Sequence, residues 1–440
     1  MLPLAMLLLA CGEPKSKDTS DLPQVGEYPA FYGERPKNLL VISIDTFRRD
    51  LMARHGGDPW NTPFLDAIAE AGMSLDRHTT CSNWTKGGVA CAVNGQYSYQ
   101  WGLIPRLAEQ SAGPTRTTLA SMLAAQDYDT YLVTSNGWLL DAGLDGGYET
   151  TVQPDVNRAT SVAETGVGLL ENRTPGNETP WFMHLHFIEP HAAYNPPSEY
   201  LVGLEDLPPI SVNLADREQH YGLLPDWPIM SEEEQETLRS HLWLRYRGDV
   251  RWLDDTMAEI WADLEVRGLL DDTLVVFWTD HGEQFFEHEQ QTHVWGLYRE
   301  ENDGVAIFWS KNIVAQAWNE PTNNIDLAPT IVSALGLIPG AEWTGEPVGL
   351  ADPERPIIAE SWSRGGPRMA VSVGQTKLIY DWNTGDKELY DMEADPGELT
   401  NIYDSSDPRA IAMWEPLMTV VDRWSVLVGG SAGEPTTPGP

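Results

Sequence analysis

The sequence is poor in cysteine and in positive charge. Its 440 residues include three cysteines, and 28 lysines and arginines face 66 aspartates and glutamates, for a formal net charge of −38. A nucleic-acid-binding protein needs cations to displace phosphate counterions, so the composition argues against that class and against electrostatic adhesion to anionic lipid. Hydrophobic residues still make up 41% of the chain, which is enough for a large folded core.

The apolar stretch at the N-terminus is too short to span a bilayer. Met1–Ala10 is followed by Cys11, whereas a membrane-spanning helix needs about 20 apolar residues. The stretch fits the apolar region of a secretory signal, and residues 8–11 resemble a bacterial lipobox. We expect residues 1–11 to be a signal peptide with a lipobox and residues 12–36 to be a polar tether. The protein would then be exported to the cell envelope or periplasm and anchored by lipid at Cys11; plain secretion, or neither, are the alternatives.

Cys81 and Cys91 are the two remaining cysteines. In an oxidising compartment they could pair and close a short loop. Two buried free thiols are the alternative. No cysteine spacing typical of a metal site is present, so any metal would have to be held by other side chains.

Apolar, β-branched runs alternate with helical patterns along most of the chain. The runs predict strands at 38–44, 128–134, 181–188, 274–278 and 304–309. The patterns between them predict helices at 119–125, 163–170 and 232–267, and one that Thr62 caps and Pro63 begins, ending near residue 72. This alternation predicts an α/β domain over residues 37–355, with a mostly parallel central sheet flanked by helices.

The pattern of apolar and turn-forming residues changes after about residue 355. Short strand patterns separated by turn residues predict a small C-terminal antiparallel subdomain over residues 356–428, closed by a helix at 409–428. Residues 429–440 are expected to be a disordered tail. Residues 201–231 are acidic and weakly periodic, and we interpret them as a surface excursion that could lie over the site.

Candidate ligands lie where the predicted strands end. Asp45 follows one strand, and Asp280 and His281 follow another. Ligands of such sheets bind beyond the carboxyl ends of the strands, so these side chains are expected to converge. Carboxylate and imidazole together suit zinc or manganese more than calcium, which prefers oxygen ligands. The pattern therefore predicts one divalent metal ion, with zinc or manganese favoured and calcium as the alternative.

Several segments in the right order resemble the sulfatase family of the alkaline phosphatase-like superfamily, over roughly residues 37–403. They are LLVISIDTFRRDLM, NTPFLDAIAEAGMSLDRH, FIEPHAAYNPP, GLLDDTLVVFWTDHGEQFFEHEQQTHVWGLYRE, NNIDLAPTIVSALGL and ELYDMEADPGELTNI. The resemblance implies an alkaline phosphatase-like fold and a metal-dependent enzyme that hydrolyses sulfuric or phosphoric esters.

The resemblance also implies a nucleophile. The family carries C/S-x-P-S-R with a glycine ten residues after the nucleophile, and counting back from Gly95 reaches Thr85. Threonine is not converted to formylglycine, so its own hydroxyl would have to attack. Asp45, Thr85, Asp280 and His281 would then surround the metal. Thr85 is expected to start a helix running toward Tyr97, whose N-terminus would favour an anionic substrate; a simple N-cap is the alternative role.

Other site residues follow from the same matching. His191 and His293 match family histidines that hold the transferred group or protonate the leaving oxygen, and ordinary loop histidines are the alternative. Lys86 and Asn136 are candidate substrate-binding residues. The family's proline and arginine after the nucleophile are Gly87 and Val89 here, its Asp-Asp pair is Asp45-Thr46, and its Lys-x-His element is missing.

The expected substrate is a small anionic or zwitterionic sulfate or phosphate ester. Two other functions stay open. One is an envelope phospho-group transferase that resembles phosphoethanolamine transferases, and the other is a non-catalytic surface lipoprotein of sulfatase-like fold. Most tryptophans are expected in the core, but Trp84, Trp138 and Trp295 lie near the predicted site and could stack on a sugar.

Overall fold

The computed structural model describes residues 28–101, 117–141, 143–176, 179–363 and 366–427. The predicted signal peptide, lipobox cysteine Cys11, most of the tether and the C-terminal tail lie outside these residues. The strands are β1 (Asn38–Ile44), β2 (Met73–Leu75), β3 (His78–Thr79), β4 (Asp129–Thr134), β5 (Thr150–Val152), β6 (Trp181–Phe187), β7 (Thr273–Thr279), β8 (Gln284–Phe285), β9 (Gln291–Thr292), β10 (Ala306–Trp309), β11 (Gln316–Trp318), β12 (Thr322–Asn323), β13 (Ile357–Ser363), β14 (Gly366–Val373), β15 (Thr376–Asp381) and β16 (Lys387–Asp391).

Helices connect these strands and cover the main sheet. They are α1 (Pro63–Ala71), α2 (Thr85–Asn94), α3 (Ser98–Trp101), α4 (Leu119–Ala124), α5 (Gly137–Asp141), α6 (Ala159–Leu169), α7 (Arg217–Tyr221), α8 (Glu232–Val266), α9 (Arg299–Asn302), α10 (Leu327–Ala334) and α11 (Pro408–Leu427).

The main sheet has eight strands in the order β11-β2-β10-β7-β1-β6-β4-β5. β1 pairs in parallel with both β6 and β7, and β10 is antiparallel to its neighbours β7 and β2. The predicted mostly parallel sheet is confirmed. The reversal of β10 places the 304–309 strand beside β7 without the crossover helix that a parallel neighbour would need.

Each face of this sheet packs against its own layer of helices. Leu40, Ile42 and Ile44 of β1 contribute to one core, which includes residues of α1, α6 and α8. Leu39 and Val41, which alternate with them, contribute to a second core with residues of α2, α4 and α10. A strand buried on both faces has to be apolar at every position, which explains the continuous apolar run at the start of the domain.

The start of α1 is capped differently from the prediction. The helix begins at Pro63, but the Thr62 hydroxyl donates to Asp66 Oδ2 and makes no capping bond to the backbone. Asp254 of α8 caps the helix instead, because its carboxylate accepts from the backbone N–H groups of Phe64 and Leu65 at 2.8 and 2.9 Å. A contact with a distant helix thus caps α1, where the local sequence had predicted capping by Thr62.

Residues 201–231 are more than a surface excursion. Leu214, Leu223 and Trp227 are buried in the first core, and the Trp227 ring stacks on Phe286 with centroids 3.7 Å apart. The three anchors are widely spaced, so they leave little periodicity in an acidic segment. The segment also contacts β9, where Gln291 Nε2 donates to the His220 carbonyl at 3.0 Å.

The C-terminal residues form the predicted small antiparallel sheet. Its strand order is β13-β14-β15-β16, and α11 packs against it in a third core together with Tyr97 and Tyr99. Glu360 of β13 joins this sheet to the main body, since its backbone N–H donates to the Cys81 carbonyl at 2.9 Å.

In the described part of the chain, no helix combines the length and the apolarity that crossing a membrane requires.

Candidate active site

The site lies where β1 and β7 end side by side. Ile44, the last residue of β1, is in register with Phe187 of β6 and Thr279 of β7. The residues that follow β1 and β7 are Asp45 and Asp280, and both carboxylates are fully buried. Their backbone N–H groups still donate across the sheet, to Phe187 and Ile44, so the sheet holds both side chains in place.

Asp45, Asp280 and His281 form a compact group of candidate ligands. One ligand atom from each lies within 4.8 Å of the other two. His281 Nε2 is 3.5 Å from Asp45 Oδ1 and 3.7 Å from Asp280 Oδ2. None of these three atoms has a hydrogen-bond partner among the described residues.

The orientation of His281 fits a cation at this position. Its Nδ1 lies 2.9 Å from the Gly282 carbonyl, which can only accept, so Nδ1 carries the proton. Nε2 then presents a lone pair toward two carboxylate oxygens. Three unpartnered acceptors facing one another are unfavourable unless a positive charge lies between them, and a backbone carbonyl that fixes the tautomer is typical of metal-bound histidine.

The charge state of the group depends on such a cation. Burial raises the pKa of Asp45, but the contact with His186 and the nearby His191 and His281 outweigh it, so this pKa lies well below its usual range. Burial and then the charge of Asp45 raise the pKa of Asp280 well above its usual range. Without a cation the two carboxyls therefore share one negative charge. Burial, followed by the charge of His293, lowers the pKa of His281 to about 3, so its imidazole is neutral.

Thr85 lies beside this group, at the first position of α2. Its hydroxyl donates to Asp45 Oδ2 at 3.3 Å. The predicted helix starts at Thr85 but ends at Asn94, before Tyr97, because Gly95 adopts a left-handed conformation with φ of 58°. The Thr85 side chain makes no capping bond; Trp84 holds the N-cap position.

Two features fix α2 against the end of β7. A β-carbon on Gly88 would lie 2.3 Å from the Asp280 carbonyl oxygen, so the close approach requires glycine there. Cys81 and Cys91 form a disulfide that spans the start of the helix and encloses Thr85 in its loop. The sequence did not decide between a disulfide and two free thiols, and the structure contains the disulfide.

The two predicted substrate-binding residues occupy different places. Asn136 Nδ2 donates to Asp45 Oδ2 at 3.0 Å, so this residue belongs to the shell that holds the carboxylate. Lys86 is buried, and its ammonium lies 4.9 Å from the centre of the Trp138 ring. It follows Thr85 directly and brings positive charge to the start of α2.

His191 and His293 come together next to His281. The centroid of the His293 ring lies 5.0 Å from that of the His191 ring and 4.4 Å from that of the His281 ring. His293 Nδ1 is 2.8 Å from Glu283 Oε1, a contact that orients the ring. The structure therefore brings together most of the predicted site residues, with Lys86 turned toward Trp138: Asp45, Thr85, Asn136, His191, Asp280, His281 and His293.

Two further residues at this place were not predicted to belong to the site. His186 Nε2 lies 3.8 Å from Asp45 Oδ2, and its Nδ1 shares the Ser43 hydroxyl with His184. Glu283 orients His293. The approach of His186 to Asp45 depends on the pairing of β1 with β6. In the sequence, Glu283 is the last residue of the tetrapeptide DHGE that begins at Asp280. Its position in that tetrapeptide, ten residues before His293, was the sequence signal that could have indicated a role in the site.

The chain resembles known proteins over most of its length. The family model described as Sulfatase matches residues 37–337. A choline-sulfatase of Rhizobium meliloti (strain 1021) is 26% identical over 84% of this chain and 82% of that protein. An N-acetylglucosamine-6-O-sulfatase of Bacteroides thetaiotaomicron is 23% identical over 92% of this chain and 87% of that protein.

Solved structures support the fold. One, a complex with its substrate D-glucosamine-2-N,6-O-disulfate, superposes with a TM-score of 0.69 at 18% identity, covering 91% of this chain and 99% of that chain. The phosphonate monoester hydrolase of Agrobacterium radiobacter superposes with a TM-score of 0.68 at 19% identity, covering 89% and 96%. At such identities these likenesses show the fold alone, and they confirm the predicted alkaline phosphatase-like architecture.

Proposed function

Because the chain belongs to the sulfatase family, we propose that it hydrolyses sulfuric or phosphoric esters at the site around Asp45. The observation that supports this most is the convergence of the Thr85 hydroxyl with three buried, unpartnered ligand atoms. Family relatives named for sulfate esters and a fold neighbour named for phosphonate esters are consistent with either acid.

Asp45, Asp280, His281 and Thr85 are the residues that would hold one divalent cation. When bound, such a cation withdraws charge from the oxygens around the reacting centre and lowers the pKa of a hydroxyl beside it. The mixed carboxylate and imidazole set favours zinc or manganese, with calcium as the alternative.

Thr85 is the proposed nucleophile. Its Oγ1 loses the hydroxyl proton to water and forms a bond to the phosphorus or sulfur atom, while the bond to the departing alcohol oxygen breaks. Asp45 holds Oγ1 in position, and Asn136 holds Asp45. The N–H groups at the start of α2, with Lys86 next to Thr85, supply positive potential for an anionic group in a strongly acidic protein.

His293 is the proposed proton carrier. Its Nε2 donates a proton to the departing alcohol oxygen, and in the second step it takes a proton from the water that attacks the threonine ester. That attack releases the inorganic acid, and the departing Oγ1 of Thr85 takes back a proton from solvent to re-form the hydroxyl. Glu283 keeps the ring oriented throughout, and His191, whose ring lies edge-on to His293, is placed to hold the transferred group.

Phosphate esters fit the threonine nucleophile at least as well as sulfate esters. A phosphothreonine ester can be displaced in line by water, whereas a threonine sulfate lacks the easy breakdown that formylglycine gives to sulfatases. The same intermediate would pass its phospho group to an alcohol if one were bound, so transfer is the related alternative. The strongly negative chain favours small anionic or zwitterionic esters over densely charged polymers.

A substrate panel tests this proposal. Nitrophenyl sulfate, phosphate monoester, phosphodiester and phosphonate would be given to the metal-loaded wild type, to Thr85→Ala and to Thr419→Ala. Thr419→Ala is the control, because this threonine is exposed on α11 and is not one of the site residues. We expect one ester class to be turned over, and its rate to fall roughly a thousandfold or more in Thr85→Ala only. Turnover only in the presence of an added alcohol would indicate the transferase, and no turnover with retained metal binding would indicate a non-catalytic protein.

We also propose that the protein is exported and anchored by lipid at Cys11. A disulfide between Cys81 and Cys91 is consistent with an oxidising compartment. The test is fractionation of cells producing the full chain or Cys11→Ala. The full chain is expected with membranes and the variant in the soluble envelope fraction; equal distribution of both would contradict the anchor.

A further inference from the structure

Trp138 is exposed beside the candidate active site. The residue is 56% exposed, and it is the one aromatic residue among the exposed large apolar residues of the described chain. A single exposed apolar residue is ordinary on a protein surface and needs no ligand to explain it. The contacts that hold Trp138 are what set it apart.

Site residues fix Trp138 through both its backbone and its ring. Its backbone N–H donates to Asn136 Oδ1 at 3.1 Å, and the same Asn136 side chain donates to Asp45. Its ring lies against the ammonium of Lys86, which follows Thr85 in α2. The next residue, Leu139, is buried in the second core and anchors the short helix α5. The ring is thus held in one place relative to the nucleophile, while the residue stays exposed to solvent.

The two faces of the ring differ. Lys86 is buried at 3% exposure, so the face it covers is the inner one, and the exposed area belongs to the outer face and edge. An aromatic face attracts cations and apolar ring faces. Because an ammonium group already lies on the inner face, a second cation on the outer face would meet like charge across the ring. A neutral ring meets no such penalty.

We propose that Trp138 is the leaving-group platform of this enzyme, and that it selects esters whose alcohol carries a neutral, flat ring face, either an aryl group or a sugar. This inference rests on the proposed function for the meaning of "leaving group". The ring is positioned by Asn136 and Lys86 so that the alcohol stacks on it while the acid group lies at Thr85. Acyclic and cationic alcohols lack this contact.

The other two tryptophans near the site do not offer such a platform. Trp84 is 8% exposed and packs beneath the start of α2. Trp295 is half-buried, and its backbone carbonyl accepts from Arg368, which ties it to the C-terminal sheet. Trp60 is the matched control, because it is half-buried outside the site and lies against Arg247 and Arg251.

The test measures binding rather than turnover, so that it is independent of the proposed reaction. Full-length Thr85→Ala protein with manganese is titrated calorimetrically with phenylphosphonate, ethylphosphonate and 2-aminoethylphosphonate, and with the corresponding sulfonates. The titrations are repeated with Trp138→Ala, Trp138→Phe or Trp60→Ala added. A methyl glucoside 6-phosphonate serves as the sugar arm and shows whether aryl or sugar rings are preferred.

We expect the phenyl or sugar ligand to bind about tenfold more tightly than the ethyl ligand, the usual scale of one aromatic contact. That ratio should fall to near one in Trp138→Ala, and should persist in Trp138→Phe and Trp60→Ala. The cationic ligand should gain nothing from Trp138. Equal affinities for ring and ethyl ligands, or a ratio unaffected by Trp138→Ala, would overturn the platform while leaving the hydrolysis proposal standing. Failure of the nitrophenyl ester panel would instead remove the reaction and leave the binding preference intact.

Discussion

The carbonyl oxygen of Asp280 lies 2.3 Å from the point where a β-carbon on residue 88 would stand, so Gly88 has no room for a side chain. The obstacle is backbone, which cannot rotate away. This contact sets the distance between the helix that carries Thr85 and the strand end that carries Asp280 and His281. A metal-assisted nucleophile needs that distance to be short and constant.

Gly88→Ala is therefore expected to push α2 away from β7 and to lower turnover at least a hundredfold, although alanine is the better helix former. The matched control is Gly168→Ala in α6, where a β-carbon meets nothing within 4 Å. That variant should keep its activity and gain roughly 0.5–1 kcal/mol of unfolding free energy. Steady-state kinetics and urea unfolding of both variants provide the measurement. Full activity in Gly88→Ala would show that the close approach is not needed.

We expect the carboxyl group of Asp280 to lower the stability of the metal-free protein and to raise that of the metal-bound protein. In metal-free protein its carboxyl faces that of Asp45, and burial with that charge raises the Asp280 pKa. Asp280→Asn is neutral without having to take up a proton on folding, and it keeps an oxygen for the backbone N–H groups of Thr46 and His281. We expect the metal-free variant to melt at a higher temperature than metal-free wild type.

Adding zinc or manganese should reverse that order. A ligand at a hundredfold its Kd adds about 2.7 kcal/mol to the wild type, and the variant should gain much less. Thermal melting with chelator and then with each metal is the measurement, and activity does not enter it. A wild type whose melting temperature ignores both metals would contradict the metal site.

The raised pKa of Asp254, a residue outside the candidate active site, makes the folding stability of the protein depend on pH. Burial raises its pKa to about 7 even though two backbone N–H groups favour the ionised form. The unfolded carboxyl titrates near 4, so between pH 4 and pH 7 the folded state binds the extra proton. Stability from this group is therefore present at low pH and is lost as pH rises through about 7.

Asp254→Asn mimics the protonated form, so its unfolding free energy should rise relative to wild type between pH 5 and pH 8. Over this window the change is up to about 3 kcal/mol, because wild-type stability falls over about two pH units, from pH 5 to the pKa of about 7. Glu259→Gln, on an exposed position of the same helix, serves as control and should show little change. Urea unfolding at the two pH values measures both. A difference between Asp254→Asn and wild type that stays constant with pH would contradict the raised pKa.

The sequence was sufficient for features that depend on local pattern or on strand direction. Apolar runs predicted β1, β6 and β7 to within a residue or two, and parallel pairing then required Asp45 and Asp280 to meet at one edge. Thr85 came from the family resemblance. Each of these follows from residues close together in the chain or from a single rule about sheets.

What the sequence missed depends on contacts between distant segments. Asp254 caps α1 from another helix, and the approach of His186 to Asp45 depends on the register of two strands far apart in the chain. Residues 201–231 are held in the core by widely spaced residues that leave only a weak periodic signal. No local pattern encodes these pairings, because each becomes favourable only after the sheet has formed.

The central claim is that Thr85 forms a covalent ester with the group it removes. The most direct measurement is peptide mass spectrometry of wild type quenched in acid during turnover of its best substrate. We predict one phosphoryl or sulfuryl group on the peptide that contains Thr85, and none on that peptide in Thr85→Ala. An active enzyme with no adduct at Thr85, an adduct on another residue, or full activity in Thr85→Ala would contradict it.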